Sequence, residues 1–183
     1  GVEYVEVRCM DLNPFLPTGI DAATMRFLDV FLLHCLLADS PPDTPAEIAA
    51  LGRNQHRTAA RGREPGLTLE RDGSDVPLVG WGLELLQAFE PIAATLDRAQ
   101  GTTAHAKALD DAAAALRAPD TLPSARVLNA IIEDHGRSYT GFILAQARRT
   151  HAAMLARPLP ADEEARYVAM AAQSVADQQR IEA

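Results

Sequence analysis

The chain has 183 residues, 48% of them hydrophobic, with a formal net charge of −8 and two cysteines. That length suits one substantial domain able to bury roughly 70% of its unfolded surface. The acidic balance argues against general affinity for nucleic acid or an anionic membrane. No apolar run reaches the roughly 18 residues of a membrane span, since Phe27 to Leu37 is interrupted by Asp29 and His34. Cys9 and Cys35 stand far apart, outside any CxxC or Cys/His cluster, so neither a disulfide framework nor a zinc site is indicated. We expect a soluble chain in a reducing, cytoplasmic setting.

From Val2 to Met10 the residues alternate, with Val2, Tyr4, Glu6 and Arg8 on one face and Glu3, Val5, Val7 and Cys9 on the other. This reads as a strand, ended by Asn13-Pro14. Because the chain opens at Gly1 on what looks like mid-strand, and one strand cannot satisfy its own backbone, we expect a piece of a longer protein whose remainder, or another chain, supplies the partners.

Pro14, Pro17 and Gly19 make a loop, and Asp21 caps a helix running to Ala38, whose apolar positions Met25, Leu28, Leu32, Cys35 and Leu36 follow helical spacing. Thr44-Pro45-Ala46-Glu47 has the form of a capping box and predicts a second helix to about Gly62. Pro65-Gly66 is a turn. Leu67 to Arg71 and Val76 to Val79 then form a hairpin around Asp72-Gly73. Beyond Gly80, Leu83, Leu86, Phe89, Ala93 and Leu96 describe a helix that Pro91 must bend or break. Helices over His105 to Leu116, Ser124 to Asp134, Tyr139 to Ala156 and Ala161 to Glu182 complete the chain, the last with few large apolar residues and an end expected to fray. The fold class is therefore α+β: mostly helical, with an N-terminal strand and a short hairpin.

The strand carries the chemistry. Glu6 and Arg8 project from the face opposite Val5, Val7 and Cys9, about 6–7 Å apart along the backbone. A carboxylate is a hard oxygen ligand for Mg²⁺, and a guanidinium can fork onto a phosphate oxygen. Together they could hold a metal-bridged phosphoryl group in transfer. The same pattern also describes a solvated or mutually paired surface couple.

The stretch VEYVEVRCMDLNPF, followed by GIDAATMRFLDVFLLHCLLADSP, resembles the proteobacterial type of glutamate–cysteine ligase; the likeness continues through GREPGLTL and more loosely through LPSARVL. The resemblance implies that residues 1–183 are the C-terminal portion of a longer catalytic chain, with residues 1–15 as active-site strand and exit loop and 20–183 mainly helical. It implies that the strand belongs to a glutamine-synthetase-like antiparallel sheet. It implies ATP-dependent ligation of L-glutamate, through its γ-carboxylate and an acyl phosphate, to L-cysteine, with Mg²⁺ or Mn²⁺ as cofactor. Glu6 then matches the family's metal-binding glutamate, and Arg8 the arginine that contacts the transferred phosphoryl group of ATP and the acyl-phosphate intermediate. The partners implied are glutamate, cysteine, ATP and the N-terminal remainder of the same enzyme, with no nucleic acid and no membrane; the piece alone is expected to be inactive.

Two other readings stay open on the residues themselves: a carboxylate–amine ligase of the glutamine synthetase type using ammonia, and a non-catalytic helical interaction module. Asp11 and Asn13 either shape the strand's exit or reach the nucleotide. Arg53, Arg57, Arg61 and Arg63 form a basic stripe, either a solvated helix face or a guide for an anion. The five histidines show no metal-ligand spacing, no serine sits in a nucleophile elbow, and Trp81 reads as core.

Overall fold

The computed structural model describes residues 3–8 and 10–183 and is mostly helical, with one small antiparallel sheet. Its elements are α1 (Ala22–Leu37), α2 (Pro45–Arg61), β1 (Thr68–Arg71), β2 (Ser74–Pro77), α3 (Leu78–Gln100), α4 (Ala104–Arg117), α5 (Pro123–Asn129), α6 (Tyr139–Leu155) and α7 (Ala161–Glu182). The chain divides into two compact units, Gly1–Phe142 and Ile143–Ala183.

Local chemistry starts the first two helices where the sequence places them. The Asp21 carboxylate accepts the Thr24 backbone N–H at 2.8 Å and also the Thr24 hydroxyl. These bonds hold its pKa below the ordinary carboxylate value. Thr44 caps α2 by accepting the Glu47 N–H at 3.2 Å, with Pro45 in the first turn where no N–H is needed.

The core lies where α3 packs on α4 and α1 packs across both. Val30, Leu86, Phe89, Ala93 and Leu109 are buried there, with Phe27, Leu83, Ile92, Leu96 and Leu116 packed around them. The positions picked out along α3 all join this cluster. A Cβ on Gly82 would stand 2.8 Å from Leu116 Cδ1, so the glycine leaves room for the Leu116 side chain of α4 against α3.

The face of α1 corrects the sequence reading. Met25, Cys35 and Leu36 are exposed, whereas Val30 is fully buried and the rings of Phe27, Phe31 and His34 pack on Phe89 at centroid distances of 6.3, 6.1 and 4.7 Å. This helix is apolar on nearly every side, so spacing does not select the buried stripe; the aromatic surface offered by Phe89 does.

The hairpin forms around Asp72 and Gly73, whose φ values of 51° and 74° give the left-handed pair that a two-residue turn demands. That turn pairs Arg71 with Ser74 and Thr68 with Pro77, so β2 starts and ends two residues earlier than expected and Leu78 already belongs to α3. Pro91 does not break α3, which runs on through Gln100. Its neighbours Phe89 and Ala93 are buried in the core, and their packing outweighs one lost hydrogen bond. The expected Ser124 to Asp134 helix is α5 followed by a π-helical turn at Ala130–Asp134. Trp81 is half-buried, not core, and lies under the Arg71 guanidinium, 5.2 Å from its ring centre.

Asp97, near the end of α3, caps α4 from outside that helix. One carboxylate oxygen accepts the His105 backbone N–H at 3.0 Å and the His105 ring Nδ1–H at 2.8 Å, and the other accepts the Ala106 N–H at 2.9 Å. Burial pushes the Asp97 pKa up, but the bonds from Ala106 and His105 together outweigh it and leave the group below its ordinary value of 3.8. A carboxyl depressed on folding stabilises the fold above its unfolded pKa, and that contribution is lost as pH falls through the folded value. Asp97→Asn should therefore lower the thermal midpoint of the full-length protein by several degrees at pH 7. Midpoints measured at successive pH values below 3.8 should converge, because the wild type loses the same charge; a gap independent of pH would contradict this.

In the second unit, α7 extends to Glu182 without a buried residue. Asp162, Glu163 and Glu164 complement the dipole at its start, and Gln173 to Asp177 and Gln178 to Glu182 bonds tie successive turns, so local interactions hold a helix that no core supports. No helix among the described residues is long and apolar enough to cross a membrane.

Candidate active site

Residues 3–8 are exposed and join no ladder among the described residues. Of the strand expected from Val2 to Met10, residues 3–8 and Met10 carry no assigned strand among the described residues. Val2 and Cys9 fall outside the described residues, and with them the orientation expected for Cys9.

Glu6 and Arg8 meet on one side of this segment. Arg8 Nη2 donates to Glu6 Oε2 at 2.9 Å, and the side chains remain 78% (Arg8) and 51% (Glu6) exposed. Neither lies beneath apolar packing. An exposed ion pair of this kind is worth only about 0–1 kcal/mol, so both groups separate cheaply to take other partners. Glu6 fits as one hard oxygen ligand for a divalent cation, the number Mg²⁺ commonly takes from protein when phosphate and water supply the rest. Among the described residues no group of three or more His, Cys, Asp or Glu side chains could enclose a metal, so further protein ligands would have to come from outside them.

The exit loop is closely bonded. Asn13 donates its N–H to the Gly19 carbonyl at 2.8 Å, its own carbonyl accepts from Leu16 at 3.0 Å, and its side-chain oxygen accepts the Phe15 N–H at 3.1 Å. Asn13 therefore makes the turn. Gly19, at φ +77°, closes the loop where Leu12 would crowd any Cβ. Beyond the turn, the Phe15 ring meets the buried Phe142 ring edge-on at 5.8 Å, and Arg126 lies 4.3 Å from the Phe15 ring centre. His135 backs Phe142 at 5.7 Å. Neither Phe15 nor Arg126 was singled out from the sequence, although each lies inside a stretch that carries the resemblance.

The basic stripe on α2 faces the hairpin. Arg53 binds Glu70 through two hydrogen bonds of 2.8 and 2.6 Å, Arg57 donates to the Thr68 carbonyl at 2.8 Å, and Arg61 holds Glu64 through two bonds of 2.6 Å. Buried Asn54 completes the join, donating to the Glu70 carbonyl at 2.7 Å and accepting the Glu70 N–H at 2.8 Å. Three of the four arginines thus fasten α2 to its neighbours, while the Arg53 and Arg61 side chains stay 53% and 57% exposed, as on a solvated helix face. An apolar cavity of about 710 Å³ lies between α1, α3, α4 and the Gly62 to Gly66 loop, and none of its lining residues comes from residues 3–19.

Comparison with known proteins places these features in a class. The model of the family described as glutamate-cysteine ligase matches residues 1–58, the part that holds Glu6, Arg8 and the exit loop. Glutamate–cysteine ligases from Pseudomonas entomophila (strain L48) and Pseudomonas paraeruginosa (strain DSM 24068 / PA7) are 44% and 45% identical over 182 residues, covering 100% of this chain and 34% of each relative. A crystal structure of glutamate–cysteine ligase from Francisella tularensis in complex with AMP superposes with a TM-score of 0.82 at 31% identity, over 98% of this chain and 35% of that one. Over its whole length the chain is similar to glutamate–cysteine ligases, and it spans about a third of the length of the relatives it matches.

Proposed function

We propose that this chain is the C-terminal portion of a cytoplasmic, ATP-dependent glutamate–cysteine ligase that joins the γ-carboxylate of L-glutamate to the amine of L-cysteine, the first step of glutathione biosynthesis. Residues 1–15 serve as its active-site strand and exit loop, and residues 20–183 as a mainly helical part of the same catalytic chain. The observation that carries this reading is the placement of Glu6 and Arg8, side by side and exposed on an extended segment, within the stretch matched by the family model.

Glutamate is first activated as an acyl phosphate: its γ-carboxylate oxygen bonds to the γ-phosphorus of ATP and ADP leaves. The cysteine amine then attacks the acyl carbon and expels phosphate. Glu6 would be one of the oxygen ligands of Mg²⁺ or Mn²⁺, which would supply charge neutralisation to the nucleotide. Arg8 turns from Glu6 to the phosphoryl oxygens, where its planar fork stabilises charge that grows during transfer. The extended segment adds to a glutamine-synthetase-like antiparallel sheet formed by the N-terminal remainder of the enzyme, which also supplies the other metal ligands and the amino-acid pockets. An ammonia-using ligase and a non-catalytic helical module are less favoured, since the relatives that match the whole chain are named glutamate–cysteine ligases.

Product identification tests this directly. The full-length protein, given ATP, Mg²⁺, glutamate and either cysteine or ammonia, should yield γ-glutamylcysteine in preference to glutamine, and the isolated 183 residues should yield neither. Glutamine as the main product would move the chain to the other ligase class. γ-Glutamylcysteine from the isolated 183 residues would contradict the division of the site between two parts of the enzyme.

A further inference from the structure

The opening stretch and the LPSARVL stretch lie far apart in sequence, yet they meet at one aromatic ring. Phe15 is held between the Arg126 guanidinium on one side and Phe142, in the first turn of α6, on another. Among the described residues Arg126 makes no ion pair, so the Phe15 ring is the partner that its charge faces. A guanidinium packs flat against a ring more readily than an ammonium does, because it is planar and weakly hydrated.

The ring is coupled to Asn13, from which the chain leads back to Arg8 and Glu6, through a bonded loop. The Asn13 to Gly19 loop is closed by the bonds already described, and Asn13 binds the Phe15 amide itself, so Phe15 and Asn13 are tied directly to each other. Fixing Phe15 therefore fixes Asn13, where the extended segment leaves the loop. Among the described residues, 3–8 join no ladder, so the contacts of Phe15 are an anchor close in sequence to Glu6 and Arg8.

We propose that Arg126, acting through Phe15, is a positioning residue that sets where the extended segment delivers Glu6 and Arg8. Its effect on catalysis rests on the ligase reading above; its effect on the segment's placement does not. Phosphoryl transfer depends on alignment, and a misplacement of about 1 Å can cost on the order of 10²-fold in rate. Loosening the anchor therefore acts on turnover first.

The test uses the full-length protein with Arg126→Met, which keeps the aliphatic stem but loses the charge, and Arg126→Lys, which keeps a cation over the ring. Arg126→Met should lower kcat for γ-glutamylcysteine formation by roughly tenfold or more, leave KM for cysteine and the thermal midpoint unchanged, and accelerate hydrogen exchange in the peptide spanning residues 3–12. Arg126→Lys should recover part of both the turnover and the exchange protection. An unchanged kcat, or a loss that follows a lowered midpoint and is not relieved by lysine, overturns the proposal. If the wild type makes no γ-glutamylcysteine, the ligase reading falls, and exchange alone decides the inference: equal protection in wild type and Arg126→Met overturns it.

Discussion

Arg8→Lys in the full-length protein should lower kcat for ligation by about 10²–10³-fold, the loss typical when one donor to a developing anion is removed. The charge survives this change, so long-range attraction of ATP is kept. What is lost is the fork, because an ammonium presents a point charge where the guanidinium presents two parallel donors. KM for ATP should therefore move much less than kcat. Stability should not move either, since the Arg8 side chain is 78% exposed and its pair with Glu6 adds little to the fold. Steady-state rates with glutamate, cysteine, ATP and Mg²⁺, together with a thermal melt, check both halves. An unchanged kcat would remove Arg8 from phosphoryl transfer, and an equal loss of stability and turnover would make it a structural residue.

Glu6→Gln should have the second large effect, through the metal requirement. The amide keeps the shape and one acceptor oxygen but lacks the charge that a hard divalent cation seeks. Activity at limiting Mg²⁺ should fall by roughly 10–100-fold, the range seen when groups supporting a bound metal are removed, and excess metal should return part of it. The substitution also frees Arg8 from its 2.9 Å partner. Arg8 consequently has no local competitor for phosphate, and KM for ATP should not rise as the metal requirement does. A rise in KM for ATP with an unaltered Mg²⁺ dependence would assign Glu6 to holding Arg8, not metal.

What the amino acids disclosed in advance was what they decide locally. Asp21, Thr44 and Pro45 start helices because a side-chain oxygen, or a missing N–H, sits beside the first free amides. Asp72-Gly73 makes a tight hairpin because both residues tolerate positive φ. Features decided by distant partners were misread. The buried side of α1 is chosen by Phe89, more than fifty positions away, and the contacts of Arg53 and Arg57 by Glu70 and Thr68 of the hairpin. Pro91 stays within α3 because its neighbours are packed, a fact that no window of sequence around it contains.

The candidate site divides along the same line. Alternation placed Glu6 and Arg8 on one side of the chain, where the structure brings their side chains into contact. Period two is a property of extended backbone and needs no partner to be read. The contact between Phe15 and Arg126 could not be read that way. Its single trace in the sequence was that both residues fell within stretches resembling one family.

The proposed chemistry requires Glu6 to hold metal beside the phosphoryl group that Arg8 grips. Titration of Mn²⁺ into the full-length protein with a non-hydrolysable ATP analogue, followed by electron paramagnetic resonance in wild type and Glu6→Gln, measures it most directly. Mn²⁺ should bind at least roughly tenfold more weakly to the variant, with binding of the analogue retained. Identical Mn²⁺ affinity and spectra in the two proteins would contradict it.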